Sequence, residues 1–583
     1  MDRKSIIIVA AAIAVLLIFP KVVDHYFPDK PVPITAAMTR TNLPSAPDLP
    51  SARPSPSSVA PAVRAAAPSR AQQTLSVTNE DLIWRFTSRG GGISAVELRQ
   101  YPAAISPPSR KPDHPTLASL NRDGPTPVLS VRGGELDAEA EYTLTRTEAG
   151  VRAEKTFGNG LRVIKEFALG SNYLFNARLS FENTAAQTVS LPDREVVIGT
   201  ATAVGPLDDP TATGTFWYNG IKTENVKDTW FANRTLGCIP GTPRQEYEGG
   251  SNNVGWAAVH NQFFALATMP SNPAPRIVIT RVGVPAPVVV CITNSLSAVL
   301  TNGYEAALSY PAASLPPHRI LTEEFLFYAG PKEYNSLAKL GQRMNNNVDA
   351  IMGFSGFFGF FSKLLLLSMN GLHAFGLSYG ATIIAITVLI KLVFWPLTNA
   401  STKSQKRMQA LQPQLQAINE KYKDDPAKKN QKTMEFWKEH KINPMGSCLP
   451  TLLQIPVFFG FYWMLRNAIE LRGVPFLWAY DLSQPDTVAH IAGFAINPLP
   501  LIMGATQLWQ AQLMPPSPGM DPGQQKIMKF MPLMFIALLY RMSAGLTLYW
   551  TVQNLLSILQ TKLTKTNEPP RPAPVPVAVK KLK

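Results

Sequence analysis

Gly446-Ser-Cys-Leu-Pro-Thr-Leu-Leu-Gln-Ile-Pro-Val-Phe-Phe-Gly-Phe-Tyr-Trp-Met-Leu465 is a run of 20 residues without one charge. A helix of that length rises ~30 Å, the thickness of a bilayer's hydrocarbon core. Three further segments read the same way. Gly376–Leu397 has 22 residues broken only by Lys391, and Ile491–Met514 has 24 with no charge. Phe530–Leu563 has 34, with Arg541 and Lys562 as its only charges. That is too long for one crossing, and the turn-like Ser543-Ala544-Gly545 divides it in two. The result is a core of five spans. A sixth apolar run, Ser5–Pro20, follows Arg3 and Lys4 and has 16 residues. It is read as an uncleaved signal anchor with its start in the cytoplasm; a cleaved signal peptide is the alternative.

The remainder is of a different kind. Over 583 residues the net charge is +15, only 16% of residues are charged and mean hydropathy is zero. The zero is a sum of opposites. Three cysteines exclude a disulfide scaffold, and 45% hydrophobic content excludes wholesale disorder. Residues 31–70 hold nine prolines and nine alanines and read as a semi-extended tether. Residues 74–330 read as many short strands. In Phe175-Asn-Ala-Arg-Leu-Ser-Phe-Glu182 the apolar Phe175, Ala177, Leu179 and Phe181 alternate with polar residues, the period of a half-buried strand. One large β-sandwich follows. Its histidines, His114, His260 and His318, lie at no metal-ligand spacing and are expected to be surface or capped. Cys238 and Cys291 are a disulfide or two buried thiols; Cys448 is a small hydrophobe.

Topology follows from the loops. The segment 398–446 has ten Lys/Arg and five acids, whereas 466–490 has two Arg and three acids. Basic loops stay cytoplasmic. On hydropathy alone Met352–Phe375 reads as another crossing; parity argues against it, and it is better read as a helix in the outer interface, with Lys363 reaching to water. Within 398–446, Met408, Leu411, Leu415, Ile418 and Tyr422 recur at coiled-coil spacing. Asp425-Pro426 starts a second helix carrying Met434, Trp437 and Lys441. A basic helical hairpin is predicted.

No Asp or Glu falls in the predicted spans, no Gly-Lys dipeptide allows a Walker A loop, and no metal-ligand spacing occurs. No cofactor is expected. Lys391 stands alone as a cation inside an apolar segment, either snorkelling to the inner headgroups or facing a wet cavity. Thr387 lies one turn before it. Thr547, Thr551 and Asn554 form a polar stripe at i, i+4 and i+7, and Gln454, Gln507, Gln510 and Gln553 add uncharged polar groups. Such stripes also serve as interhelical glue, but one unpaired cation favours a hydrated pocket.

At Leu449-Pro-Thr-Leu-Leu-Gln-Ile-Pro-Val-Phe-Phe459 the sequence resembles the YidC family of membrane protein insertases, relatives of the mitochondrial Oxa and chloroplast Alb proteins. Asn443-Pro-Met-Gly-Ser-Cys448, Trp395-Pro-Leu-Thr398, Gln524-Gln-Lys-Ile-Met-Lys-Phe-Met-Pro532 and Ser543-Ala-Gly-Leu-Thr-Leu-Tyr-Trp550 agree in order. Ser88-Arg-Gly-Gly-Gly92 and Gly255-Trp256 resemble the family's periplasmic sandwich more weakly. The resemblance implies a Gram-negative inner-membrane insertase and chaperone, with both termini cytoplasmic and the sandwich in the periplasm. It implies a hydrophilic groove open to cytoplasm and lipid, with Lys391 where many members carry Arg. Thr387 and Gln454 match groove positions, and Tyr549 and Trp550 fall where the sixth span approaches substrate. Thr551 and Asn554 are assigned to the same groove from the stripe. The hairpin, with Lys403, Lys406, Arg407, Lys421 and Lys423, is implied to meet incoming chains or targeting factors, and the tail the ribosome. Expected partners are nascent membrane proteins, the Sec translocon and the phospholipid bilayer, with no specific nucleic acid.

The expected architecture is thus a multi-domain membrane protein, an α-helical membrane bundle with a large periplasmic β-sandwich. Its parts are a signal-anchor span (1–22), a Pro/Ala linker (23–73), the β-sandwich (74–330), an interfacial amphipathic region (331–375), a five-span core (376–563) that includes the hairpin (398–446), and a basic cytoplasmic tail (564–583). The rival readings are a membrane enzyme acting on envelope sugars through the sandwich, and a small-solute transporter.

Overall fold

The computed structural model describes residues 72–106, 115–205, 207–234, 241–285, 300–422, 425–440, 449–513 and 522–565. The expected signal anchor, all but the end of the linker, His114, the three cysteines, Lys423, Lys441 and all but the first two residues of the tail lie outside these.

Strands run from Thr74 to Pro331. Nine form one antiparallel sheet; a four-stranded and a five-stranded sheet lie against it. The strand Leu174–Asn183 shows the expected alternation, with Phe175, Ala177, Leu179 and Phe181 buried between more exposed neighbours. Phe175 meets Trp84 of the four-stranded sheet edge-on at 6.4 Å. A β-sandwich results, with its core between the layers. His260 is not on the surface: it is buried, its Nδ1 lies 3.2 Å from the Asn261 carbonyl, and its ring stacks on Phe216.

The nine-stranded sheet has a second apolar face. Along Trp256–His260, Ala257 and Val259 point into the sandwich, while Trp256 and Ala258 point the other way. That outer face carries helix α1 (Tyr334–Arg343) through Leu337 and Leu340. The same core continues into a helical module: α2 (Gly356–Ala374), α3 (Tyr379–Val393), α4 (Trp395–Ala410), α5 (Gln412–Lys421), α6 (Pro426–Glu439), α7 (Leu449–Asn467), α8 (Pro498–Leu513), α9 (Pro522–Leu539) and α10 (Ala544–Leu563). At the last turn of α7 and just beyond it the chain grips the sandwich. Arg466 pairs with Asp209, its carbonyl accepts from Gln262 at 2.7 Å, and Arg472 donates to the carbonyls of Pro102 and Ala103.

Two expected spans are broken. Gly376–Leu397 is not one helix; α3 and α4 meet at 67°. Pro396 is the cause: it lacks the N–H that would bond back one turn, and its ring clashes with that turn's carbonyl. Ile491–Met514 is not one helix either. Its start pairs as a hairpin, Ala489–Ile491 with Phe494–Ile496, around Ala492 (φ 50°) and Gly493 (φ 81°). Among the described residues no single helix is long and apolar enough to cross a membrane; the bent α3–α4 pair passes that test together.

The region 331–375 holds α1, a 3-10 turn at Val348–Met352 and α2. α2 lies along α7, where Gly460 allows close approach to Phe361 and the Ser362 hydroxyl donates to the Gly460 carbonyl at 3.0 Å. Lys363 sits 4.9 Å over the Tyr334 ring. In the basic hairpin Met408, Leu411, Leu415 and Ile418 form the expected seam. Their partners are Phe436 and Trp437, while Met434 points outward. The Asp425 carboxylate caps α6 by accepting from the Lys428 N–H at 3.0 Å, with Pro426 at the first helical position.

Candidate functional site

Lys391 lies in the last turn of α3, where a cation complements the negative end of the helix dipole. It is only 6% exposed, and its Nζ donates to Ser557 Oγ of α10 at 3.0 Å. Lys391 also lines a narrow cleft between α3, α4, α7 and α10. Thr387, Lys391, Thr398, Gln454, Tyr549 and Gln553 give it polar groups; Ile390, Phe394, Leu397 and Val457 give it apolar walls. No Asp or Glu is among these lining residues. Among the described residues that line the cleft nothing anionic neutralises the cation, and its hydrogen bond goes to a hydroxyl, an arrangement that favours an anion entering from outside.

Each wall is fixed locally. The Thr387 hydroxyl donates back to the Ile383 carbonyl at 2.6 Å, so it presents mainly its acceptor lone pairs to the cleft. Tyr549 stacks on Phe461 at 4.2 Å, with its hydroxyl turned to Gln454. Toward the α4 end, Gln560 Nε2 donates to Thr398 Oγ1 at 2.6 Å and Lys406 Nζ to the Thr564 carbonyl at 2.7 Å. These bonds hold α10 on α4 and narrow the cleft there.

The expected site divides. Lys391, Thr387, Gln454 and Tyr549 share the cleft. Trp550 lies beside it, packed between Phe458 of α7 at 4.8 Å and Phe535 of α9 at 5.1 Å. Thr551 and Asn554 do not line it. Asn554 Nδ2 donates to the Met503 carbonyl and Thr506 Oγ1 of α8, and the Thr551 hydroxyl to the Thr547 carbonyl. Asn554 thus ties α10 to α8, while Thr551 bonds within α10. The stripe that faces Lys391 is Tyr549, Gln553, Ser557 and Gln560, with the same helical spacing on another side of α10. Ser557 gives no signal in the sequence, because a serine in an apolar run carries little weight in hydropathy. Of the basic hairpin residues, Lys403, Arg407 and Lys421 are exposed, whereas Lys406 is half-buried and tied to α10.

The helical module thus carries a cation-bearing cleft and joins a β-sandwich at one end and a basic hairpin at another. Residues 371–570 match the family model for the 60Kd inner membrane protein, and residues 74–367 that for the YidC periplasmic domain. The membrane protein insertase YidC of Bordetella avium is 33% identical over 517 residues, covering 86% of this chain and 84% of the relative. That of Syntrophus aciditrophicus is 30% identical over 577 residues, covering 96% and 98%. The crystal structure of an active YidC insertase with its first transmembrane domain resolved covers 85% of this chain and 94% of its own, at 15% identity and a TM-score of 0.35. The chain belongs to the YidC family of membrane protein insertases.

Proposed function

We infer that this protein inserts and folds integral membrane proteins in the inner membrane, using the Lys391 cleft as a half-way polar station. The observation that carries the reading is the buried, anion-free cation at the junction of α3 and α10. A substrate's polar tail must cross hydrocarbon before its apolar helix settles in lipid. A cleft reaching part of the way shortens that path, and Lys391 draws an acidic tail into it. α3 has 15 residues, a rise of ~22 Å against a ~30 Å core.

In this reading α3, α7, α8, α9 and α10 are the five spans, preceded by the N-terminal anchor, with both termini cytoplasmic and the sandwich outside. The cleft as it stands is too narrow for a polypeptide, so its walls part on loading. Pro456 within α7 and Pro532 within α9 each remove a helix hydrogen bond and make those walls bendable. The apolar helix leaves between α7 and α9, where Trp550 bridges the seam. Its partitioning, roughly −0.3 to −0.6 kcal/mol per Leu or Ile, drives release. No bond is made or broken. The exposed basic face of the hairpin is the surface for incoming chains, ribosome or targeting factors, and the family likeness supports work alone or beside the Sec translocon.

Site-specific photocrosslinking tests this. A photoreactive residue at Gln454 or Gln553 should capture a nascent single-span substrate during insertion, and one at Asn554, which faces α8, should not. Equal capture from all three, or from none, overturns the cleft as the route.

A further inference from the structure

The segment between α7 and α8 contains the one stretch where the expected span gives way to strand. Seven consecutive residues, Val488 to Phe494, are all exposed, and His490 is their only polar side chain. Val488, Ile491 and Phe494 stand 52%, 66% and 57% exposed. A hairpin with three-residue strands is marginal in water by itself, and exposing large apolar side chains on it has no solvent advantage.

Yet this hairpin is held firmly. The Val488 N–H donates to the Ile496 carbonyl at 3.0 Å. Asn497 Nδ2 donates to the Tyr540 carbonyl at the end of α9, and the Tyr540 hydroxyl donates back to the Ala495 carbonyl, both at 2.7 Å. The Phe494 ring lies 5.2 Å from that of Tyr540. A second apolar tip, Leu477-Trp478, is braced to the same base: Trp478 Nε1 and the Leu499 N–H both donate to Asp486 Oδ2. Rigid backbone bonding displays these side chains outward rather than folding them in.

What covers them follows from continuity. Between Asp486 and Asp521 the chain has no Asp, Glu, Lys or Arg. Four residues past Asn497, Leu501 and Ile502 are exposed on α8, and Leu538 is exposed on α9 just before Tyr540. The apolar hairpin is thus the upper end of one apolar surface that continues through Leu501 and Ile502 of α8 and Leu538 of α9. Its end of the module is the one that grips the sandwich through Arg466 and Arg472. A tryptophan with a hydrogen-bonded indole beside apolar side chains suits the headgroup–acyl boundary.

We propose that the 488–494 hairpin and the Leu477-Trp478 turn are built anchors that insert into the outer leaflet of the bilayer and seat the α8–α9 pair at a set depth. This rests on the membrane reading above, and the experiment separates the two. In a background with Cys238, Cys291 and Cys448 replaced by serine, single cysteines at Ile491, Leu501 and Ile221 carry a nitroxide. The full chain is reconstituted in phosphatidylethanolamine–phosphatidylglycerol vesicles, and collision with oxygen is compared with collision with a water-soluble nickel chelate. Ile221, 74% exposed on the β-sandwich, is the aqueous reference. The Ile491 label should favour oxygen over the chelate, at a depth between Leu501 and the surface. If Leu501 is shielded while Ile491 meets the chelate as freely as Ile221 does, the anchor is refuted and the membrane reading stands. If Leu501 is equally wet, the membrane reading fails with it. Spin–spin broadening at Ile491 that survives dilution with lipid would assign the hairpin to a second copy of this chain instead and overturn the proposal. Ile491→Ser with Phe494→Ser and a label at Leu501 should move that label toward the surface; an unmoved label refutes the depth-setting role.

Discussion

Reversing the charge at Lys391 is the sharpest perturbation the cleft offers. A carboxylate that enters beside Ser557, through one intervening water, comes within ~6 Å of the ammonium; at an effective dielectric of 20 that is worth about 3 kcal/mol. Hydration of an opened cleft halves this to about 1.5 kcal/mol, and each 1.4 kcal/mol is tenfold. Lys391→Ala should therefore slow insertion of an acidic-tailed substrate about 10- to 100-fold. Lys391→Glu converts attraction to repulsion and should abolish it. Lys391→Arg keeps the charge and a donor for Ser557, and should insert near the native rate. The assay is translation of a single-span substrate into vesicles holding the purified protein, with protease protection of the translocated tail as readout. Replacing the acids of the tail with Gln or Lys supplies the control: the Glu variant should handle neutral tails as the Ala variant does and tolerate basic ones, which also shows that it is folded. If acidic tails cross equally well with Lys, Ala and Glu, the cleft charge plays no part in insertion and the reasoning fails.

Trp550→Ala opens the seam between Phe458 and Phe535, and should shorten the lifetime of cleft-crosslinked substrate without affecting its capture. Lys165 is fully buried in the sandwich, with Nζ donating to the Gly90 carbonyl at 2.5 Å and lying 4.4 Å over the Tyr142 ring; burial lowers its pKa from 10.5 to about 7. The unfolded chain then holds a proton that the folded one releases between pH 7 and 10.5, so stability rises with pH across that window and is lowest at and below pH 7. Lys165→Met should stabilise the sandwich by about 3–5 kcal/mol at pH 7 and by little at pH 10.5, read by denaturant unfolding of the full chain in detergent; a pH-independent difference contradicts this. Phe436→Ala removes the partner of Leu415 in the basic hairpin and should cost about 3 kcal/mol there, exposing Lys428 and Lys429 to trypsin while the sandwich stays resistant. Arg466→Ala strips the ion pair with Asp209 and should speed hydrogen exchange in the Arg466–Arg472 turn, with insertion largely retained.

What was legible in the chain was what is local. The alternation from Phe175 to Phe181 declares a strand whose inner face needs no knowledge of its neighbours. The seam from Met408 to Ile418 declares one side of a hairpin, yet not that Phe436 rather than Met434 answers it, because both lie within one turn of α6. Hydropathy marks where apolar segments lie, and is blind to a bend at Pro396 or a turn at Ala492-Gly493, neither of which changes the average. The site shows the limit most clearly. Two polar stripes on α10 share the same spacing, and periodicity gives a face without giving its azimuth. Only the docking of α10 on α8 turns Asn554 to Met503 and Thr506 and leaves Ser557 for Lys391. The same argument explains why the cation could be singled out when its partner could not. A lone lysine in an apolar run is improbable by itself, but the serine that meets it is ordinary until packing brings together residues 166 apart in sequence. A variant can test that pairing without touching the charge. Ser557→Ala leaves the ammonium unpaired in the cleft, so acidic tails should be held at least as strongly as before. Ser557→Asp supplies an internal counter-ion and should mimic Lys391→Ala in the insertion assay.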